Sequence, residues 1–307
     1  MTENLPSTSS DNLTQCAYVG VFGLPNAGKS TLVNRMVGEK VAIVSPKPQT
    51  TRRRVRGVWT EGDTQIIFAD TPGLFQPNAK NPLEKFIVAN ATEELSSVDV
   101  RLLAIDAQKG LTDEALALVD KVGALRGENI AVLNKIDAIP DKTTLLAQAK
   151  ILSERANFSR IFMTSARKGH GADDIVAYLR SVAPKGPFMF DPERVTDAPL
   201  FFDMAETTRE CLFHALRQEL PYGVAVLTEK VERREDAGAM IVHQTVYTVR
   251  EAHKKVILGA GGAVIKRVGS KSRELLKKQL DVDVHLYLHV KVKENWQHNP
   301  LFLAECS

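Results

Sequence analysis

Cysteine is scarce in this chain of 307 residues. Cys16, Cys211 and Cys306 are too few and too scattered for a disulfide framework or a thiolate metal site. No apolar run approaches the ~20 residues that a membrane-spanning helix requires. Neither sign of charge dominates: Lys plus Arg number 40 and Asp plus Glu 37, a net of +3. So small an excess names no class of partner until it is located along the chain. The opening MTENLPSTSSDNLTQ lacks the apolar core of a secretory signal, and it is polar enough to expect a disordered tail over 1–15. A cytoplasmic protein is therefore expected. Apolar residues at 44% and charged residues at 25% are ordinary for globular chains, and the length suggests two domains at roughly 150 residues each. Internal repeats are absent.

What is present begins as an α/β pattern. Strands are expected at Tyr18–Phe22, Val55–Thr60, Gln65–Ala69, Val100–Ile105, Asn129–Leu133 and Arg160–Thr164. Helices are expected at Lys29–Val37, Leu83–Leu95, Asp113–Leu125, Thr143–Ala156 and Ala172–Val182. Strands alternating with helices of this length imply βαβ units and a mostly parallel sheet with helices on both faces. Pro184, Pro187, Pro192 and Pro199 then mark a linker. A different order follows: a helix at Met204–Glu219, strands at Val224–Arg233 and Gly238–Glu251, a Gly-rich turn, a helix and a last strand at Val282–Val292. The expected division is a first domain over 16–184, a linker over 185–199 and a smaller α+β domain over 200–307.

Gly23-Leu24-Pro25-Asn26-Ala27-Gly28-Lys29-Ser30, followed by Thr31, matches G-x-x-x-x-G-K-[ST] between a strand and a helix. Its glycines let backbone N–H groups curl around phosphate oxygens at a helix N-terminus, where the dipole favours anions. Lys29 would reach the β- and γ-phosphates, and the Ser30 hydroxyl would ligate Mg²⁺. Asp70-Thr71-Pro72-Gly73 ends another strand, so Asp70 can hold Mg²⁺ through water and the Gly73 N–H can meet the γ-phosphate. Asn134-Lys135-Ile136-Asp137 ends a third. A carboxylate at Asp137 accepts from N1–H and the exocyclic amine of guanine; adenine offers neither, so the site selects GTP over ATP. Ser165-Ala166-Arg167 follows a fourth strand and brings backbone N–H groups toward the base oxygen. In the loop 45–52 a threonine hydroxyl can meet Mg²⁺ only while a γ-phosphate is present, which makes the loop a switch. Thr51 is the first choice and Thr50 the second. Arg52-Arg53-Arg54 is either a solvated run or a contact with RNA or with the second domain.

The order GxPNxGKS, QTTR, DTPG, NKxD, SA resembles that of the translation-factor-related GTPases, and its QTTR form is similar to that of the bacterial Era family. The likeness covers about 17–182 and makes Lys29, Ser30, Thr51 and Gly73 the catalytic set. Small GTPases follow Asp-x-x-Gly with a Gln that orients the attacking water. Here Leu74 stands there, implying slow hydrolysis that waits for another group, ion or partner. Asn26 matches an asparagine that such relatives use to help hold K⁺, which adds K⁺ to Mg²⁺ as a candidate cofactor; alternatively Asn26 only shapes the turn.

In the second domain, Gly259-Ala260-Gly261-Gly262 followed by Ile265-Lys266 resembles the Gly-x-x-Gly loop of a KH domain of the prokaryotic type, which clamps about four single-stranded nucleotides. Between Arg250 and Lys278 lie nine Lys or Arg against Glu251 and Glu274, a local +7, the footprint of nucleic-acid binding. Lys254, Lys255, Lys266 and Arg267 flank the loop, which carries no basic residue between its own glycines. The resemblance implies GTP and GDP as ligands, the 3′ region of 16S rRNA and the 30S ribosomal subunit as partners, and assistance to small-subunit maturation. It also implies a monomer with peripheral attachment to the inner membrane face. A GTPase of tRNA modification or of cell-cycle signalling, with another partner on its C-terminal domain, is the rival reading. The histidines show no ligand spacing, and 296–307 has no reading.

Overall fold

The computed structural model describes residues 14–45, 47, 50–52, 55–74, 83, 88, 94–216, 220–233 and 238–306. The first unit runs β1 (Gln15–Phe22), α1 (Lys29–Val37), β2 (Val55–Glu61), β3 (Thr64–Asp70), β4 (Val100–Asp106), α2 (Asp113–Gly123), β5 (Glu128–Asn134), α3 (Thr143–Arg155), β6 (Arg160–Met163) and α4 (Ala172–Val182). The strands form one sheet in the order β2-β3-β1-β4-β5-β6. Only β2 is antiparallel to its neighbour.

β3 and β4 are buried along their whole length, so they read as continuous apolar runs and not as alternating ones. Alternation survives as a division between faces. Leu102, Ile130 and Val132 pack with Leu32, Val33, Ile175 and Leu179 of α1 and α4. Leu103, Ala131 and Leu133 pack with Leu118, Val119 and Leu152 of α2 and α3. α2 starts where Thr112 accepts a hydrogen bond from the Ala115 N–H, 3.3 Å away, with Asp113 and Glu114 in its first turn, as caps and the helix dipole favour. Most of the helix expected at Leu83–Leu95 lies outside the described residues, as do 1–13, Arg53 and Arg54.

The proline-rich stretch read as a linker is a strap along the sheet edge. Val58 N donates to Val195 O (2.8 Å) and Arg56 pairs with Asp197 at 3.2 Å. The Gln65 amide, fully buried, accepts from the N–H groups of Met189 and Phe190 and donates to Phe190 O. The strap covers the edge strand β2, whose unpaired backbone would otherwise stand open.

The second unit runs α5 (Leu200–Ala215), β7 (Val224–Arg233), β8 (Met240–Thr248), α6 (Glu251–Leu258), α7 (Ala263–Leu280), β9 (Val284–Val292) and α8 (Pro300–Cys306). β7 and β8 are antiparallel, β8 and β9 parallel. Two expectations are corrected. The first helix spans Leu200–Ala215, one turn earlier than Met204–Glu219. The strand expected to reach Glu251 stops at Thr248, and Glu251–Leu258 is a helix, so the Gly-rich loop joins two helices. α6 buries Ile257 alone, leaving too little periodicity to announce a helix. The uninterpreted C-terminal segment also belongs to the fold: Trp296 is fully buried and clusters with Phe302, Leu303 and Ala225.

Candidate nucleotide site and nucleic-acid interface

The motif residues gather at the C-terminal edge of the sheet because β1, β3, β5 and β6 are parallel and end together. Gly28 has φ +92°, and a Cβ there would stand 2.4 Å from Asn134 Nδ2; only glycine fits that approach. A Cβ on Gly73 would stand 2.9 Å from Pro25 N, so Asp-x-x-Gly and the first loop touch. Asn26 holds φ 64°. Asn26, Lys29, Ser30, Gly73 and both Thr50 and Thr51 are among the residues that line one cavity.

Lys29 is buried at the start of α1, and its Nζ donates to Gly23 O and Leu24 O, each 3.2 Å away. Burial pushes its ammonium down to about 8, against the pull of Asp70. Asp70 is fully buried, and desolvation raises its carboxyl while Ser30, Lys29 and Thr51 oppose the shift. Ser30 Oγ and Thr51 Oγ1 donate to Asp70 Oδ2 at 2.6 and 3.2 Å and lie 3.0 Å from each other. Thr50 Oγ1 instead donates to Lys47 O at 2.8 Å and neighbours Ser45 Oγ. The structure thus brings Thr51, and not Thr50, to Ser30 and Asp70. Leu74 is buried among Phe22, Leu95 and Val98, its N–H donating to Gly23 O at 3.1 Å. A side chain committed to the core cannot orient a water.

Asn134 ties three segments together. Its Nδ2 donates to Ala27 O at 2.9 Å, and its Oδ1 accepts from Ala166 N at 3.1 Å and Thr164 Oγ1 at 3.3 Å. Lys135 Nζ pairs with Asp106 at 2.6 Å. Asp137 is exposed beside Ile136, and its Oδ1 accepts from Ser165 Oγ at 2.6 Å. That hydroxyl, with Arg167 and Lys168 nearby, holds its carboxyl below the usual range. Arg167 is exposed and Ala166 buried.

In the second unit Gly259, Gly261 and Gly262 have φ of 74°, 57° and 79°, the left-handed region that favours glycine. Ala260, Lys255, Lys266 and Arg267 are exposed around them and Lys254 is half-buried. A groove between α7 and β9 is lined by Ile265, Lys266, Gly269, Ser270, Arg273, Leu286 and Leu288. Of these, the sequence marks Lys266 as an RNA-binding residue, Ile265 as its neighbour in the motif and Arg273 only as part of the basic stretch. The signal was there: 265, 269 and 273 share one helix face, and 286 and 288 one strand face.

A G-x-x-x-x-G-K-S loop between β1 and α1, Asp-x-x-Gly and Asn-Lys-x-Asp at the ends of β3 and β5 and this glycine-loop unit define the class: a GTPase of the P-loop fold carrying a KH domain. The "50S ribosome-binding GTPase" family matches residues 18–135 and the "KH domain" family matches 219–297. Two curated relatives are named GTPase Era. That of Bradyrhizobium sp. strain BTAi1 is 44% identical over 287 residues, covering 94% of this chain and 92% of its own. That of Ehrlichia ruminantium is 41% identical over 292 residues, covering 95% and 96%. The chain belongs to the GTPase Era family. The fold also resembles Era solved in complex with MgGDPNP and nucleotides 1506–1542 of 16S ribosomal RNA, at TM-score 0.91 and 32% identity over 96% of this chain and 99% of that one. Aquifex aeolicus Era bound to GDP and aluminium fluoride gives the same score and coverage. The family, the fold class and the GTPase activity expected from the sequence are borne out.

Proposed function

We propose that this GTPase binds single-stranded RNA of the 16S rRNA 3′ region through its KH domain, in a nucleotide-dependent way, and so assists 30S subunit assembly. The observation that carries the reading is the basic groove between α7 and β9 beside the glycine loop. Gly259 to Gly262 would admit the phosphate backbone, Lys254, Lys255, Lys266 and Arg267 would neutralise it, and Ile265, Leu286 and Leu288 would take base faces. The similar Era crystallised with a 16S rRNA fragment supports this choice of RNA.

Filter binding of the full chain to single-stranded RNA over a salt series tests it. Replacing Lys254, Lys255, Lys266 and Arg267 by Ala flattens the slope of log affinity against log salt by about 0.7 for each phosphate that is no longer neutralised. Binding without salt dependence in the unaltered protein sinks the RNA reading and favours a protein partner.

At the nucleotide, Gly23 to Ser30, with Thr31, would cradle the phosphates. Asp70, Thr71, Pro72 and Gly73 would form the γ-phosphate side. Asn134, Lys135, Ile136, Asp137, Ser165, Ala166 and Arg167 would enclose guanine. The residues present fit Mg²⁺: Ser30, Thr51 and Asp70 converge as oxygen donors, and buried Asp70 Oδ1 accepts no hydrogen bond among the described residues. A hard cation takes such ligands. Ser30 and Thr51 would bind it directly and Asp70 through water, and the ion would neutralise charge on the β- and γ-phosphates.

K⁺ beside Asn26 is proposed as a second ion, supported by the left-handed turn that sets Asn26 in the wall of the cavity. Exchanging K⁺ for Na⁺ then slows hydrolysis in the unaltered protein and has less effect in Asn26→Ala. Equal rates in the two salts exclude it.

A further inference from the structure

The loop that carries Thr51 is held on both sides by the second domain. Thr50 O accepts a 2.6 Å hydrogen bond from Arg209 Nη2, and Glu206 grips the same guanidinium at 2.6 and 2.5 Å. Arg52 reaches the other way. Its Nη1 donates to Val224 O at 2.7 Å, and its Nη2 to Tyr222 O at 3.0 Å and Pro221 O at 3.3 Å. Its guanidinium carbon lies 5.9 Å from the Phe213 ring centre and 6.0 Å from that of Trp296. Arg209 stands 5.1 Å from the same Phe213 ring. Both arginines are all but fully buried, at 2% and 1% exposure. Upstream, Glu210 accepts from Val44 N at 2.9 Å and pairs with Lys40, while Lys47 donates to the carbonyls of Phe213 and Leu216 at the end of α5.

The geometry points to Arg52 and Arg209 as positioning residues that hold the Thr51 hydroxyl beside Ser30 and Asp70, so that the KH domain completes the triphosphate-specific half of the nucleotide site. The inference rests on reading Thr51 as the threonine that meets Mg²⁺ only in the γ-phosphate state. The physics is that of a loop residue. Its backbone entropy opposes ordering, and anchoring positions 50 and 52 removes that opposition before the nucleotide arrives. Arg52 spans three carbonyls, and Arg209 is fixed on the Glu206 carboxylate by two hydrogen bonds while it holds Thr50 O; a lysine cannot reproduce such planar, multiple contacts. By linkage, a ligand that displaces α5 weakens the hold on triphosphate by the factor that triphosphate weakens its own.

The test measures release of a fluorescent non-hydrolysable GTP analogue and of fluorescent GDP from the full chain, at saturating and limiting Mg²⁺. Arg209→Lys and Arg52→Lys each speed analogue release about tenfold, within the usual span of coupling between sites, and leave GDP release within about twofold. Glu206→Gln, which keeps both arginines, moves analogue release the same way by less. Thr51→Ala is the reference. If it accelerates analogue release selectively while neither arginine variant does, the clamp is refuted and the Thr51 reading stands. If Thr51→Ala shows no selectivity, the Thr51 reading falls and takes the clamp with it. Equal acceleration of both nucleotides in the arginine variants marks general loosening and also overturns the proposal; retained GDP affinity identifies variants that have folded.

Discussion

Asp137→Asn lowers GTP affinity by about 10³-fold and shifts preference to xanthosine triphosphate, because two hydrogen bonds to a charged acceptor disappear and a donor is turned against guanine N1–H. The substitution is close to isosteric. The Asn oxygen can still accept from Ser165 Oγ, which lies 2.6 Å from Asp137 Oδ1, so the loop after β6 keeps its anchor. What changes is the second position: a carboxylate oxygen becomes an NH₂ group. Guanine presents two donors to it, whereas xanthine presents a carbonyl in place of the amine. The native carboxyl is held below its usual range chiefly by the Ser165 hydroxyl, so it is ionised throughout the neutral range and the discrimination does not drift with pH there. Competition binding and kcat/KM for the two triphosphates check the outcome. Equal losses for both would show that Asp137 shapes the loop and does not read the base.

Lys29→Met lowers the hydrolysis rate by about 10³-fold or more, the scale expected when one preorganised charge is removed from a developing phosphoryl transition state. It also removes a pH step. In the free protein Lys29 loses its proton through about pH 8, whereas a triphosphate beside it favours the charged form. Nucleotide binding above pH 8 therefore takes up a proton, and affinity falls as pH rises, by at most about one decade per unit. The same depressed ammonium makes folding stability rise with pH between about 8 and the ordinary value of 10.5, where the unfolded chain holds the extra proton. Calorimetry near pH 8.5 in buffers of different ionisation enthalpy reads the proton count. The assignment is wrong if Lys29→Met hydrolyses GTP within tenfold of the unaltered rate, or takes up the same proton.

Legibility followed the range of the interactions. β7 and α4 keep the bounds their apolar patterns predict: α4 buries one face through Ala172, Ile175, Val176 and Leu179, and β7 starts on three buried residues, Val224 to Val226. α6 escaped because it buries only Ile257, and the strap over 185–199 escaped because its prolines argue for a tether while its capture depends on Gln65, more than a hundred residues earlier in the chain. The choice of Thr51 over Thr50 was open in the sequence, since two adjacent hydroxyls differ only in the direction the backbone gives them. Arg52 was open between solvent, RNA and the second domain. Its burial against carbonyls of the second domain selects contact between domains.

The sequence by itself determined the glycine-rich loop before α1, the Asp70 and Asp137 motifs at strand ends and the glycine loop of the second unit. Each is a run of neighbouring residues at the end of a strand or the start of a helix, so local backbone geometry dictates its chemistry. Tertiary structure alone decided the groove between α7 and β9, the place of Trp296 and the hold on residues 50–52. The hydrogen bonds that hold residues 50–52 join positions as much as 172 residues apart. They exist only because two separately built cores dock α5 against the switch loop, and hydrophobic periodicity, which reports which face of an element is buried, carries no record of what that face is buried against.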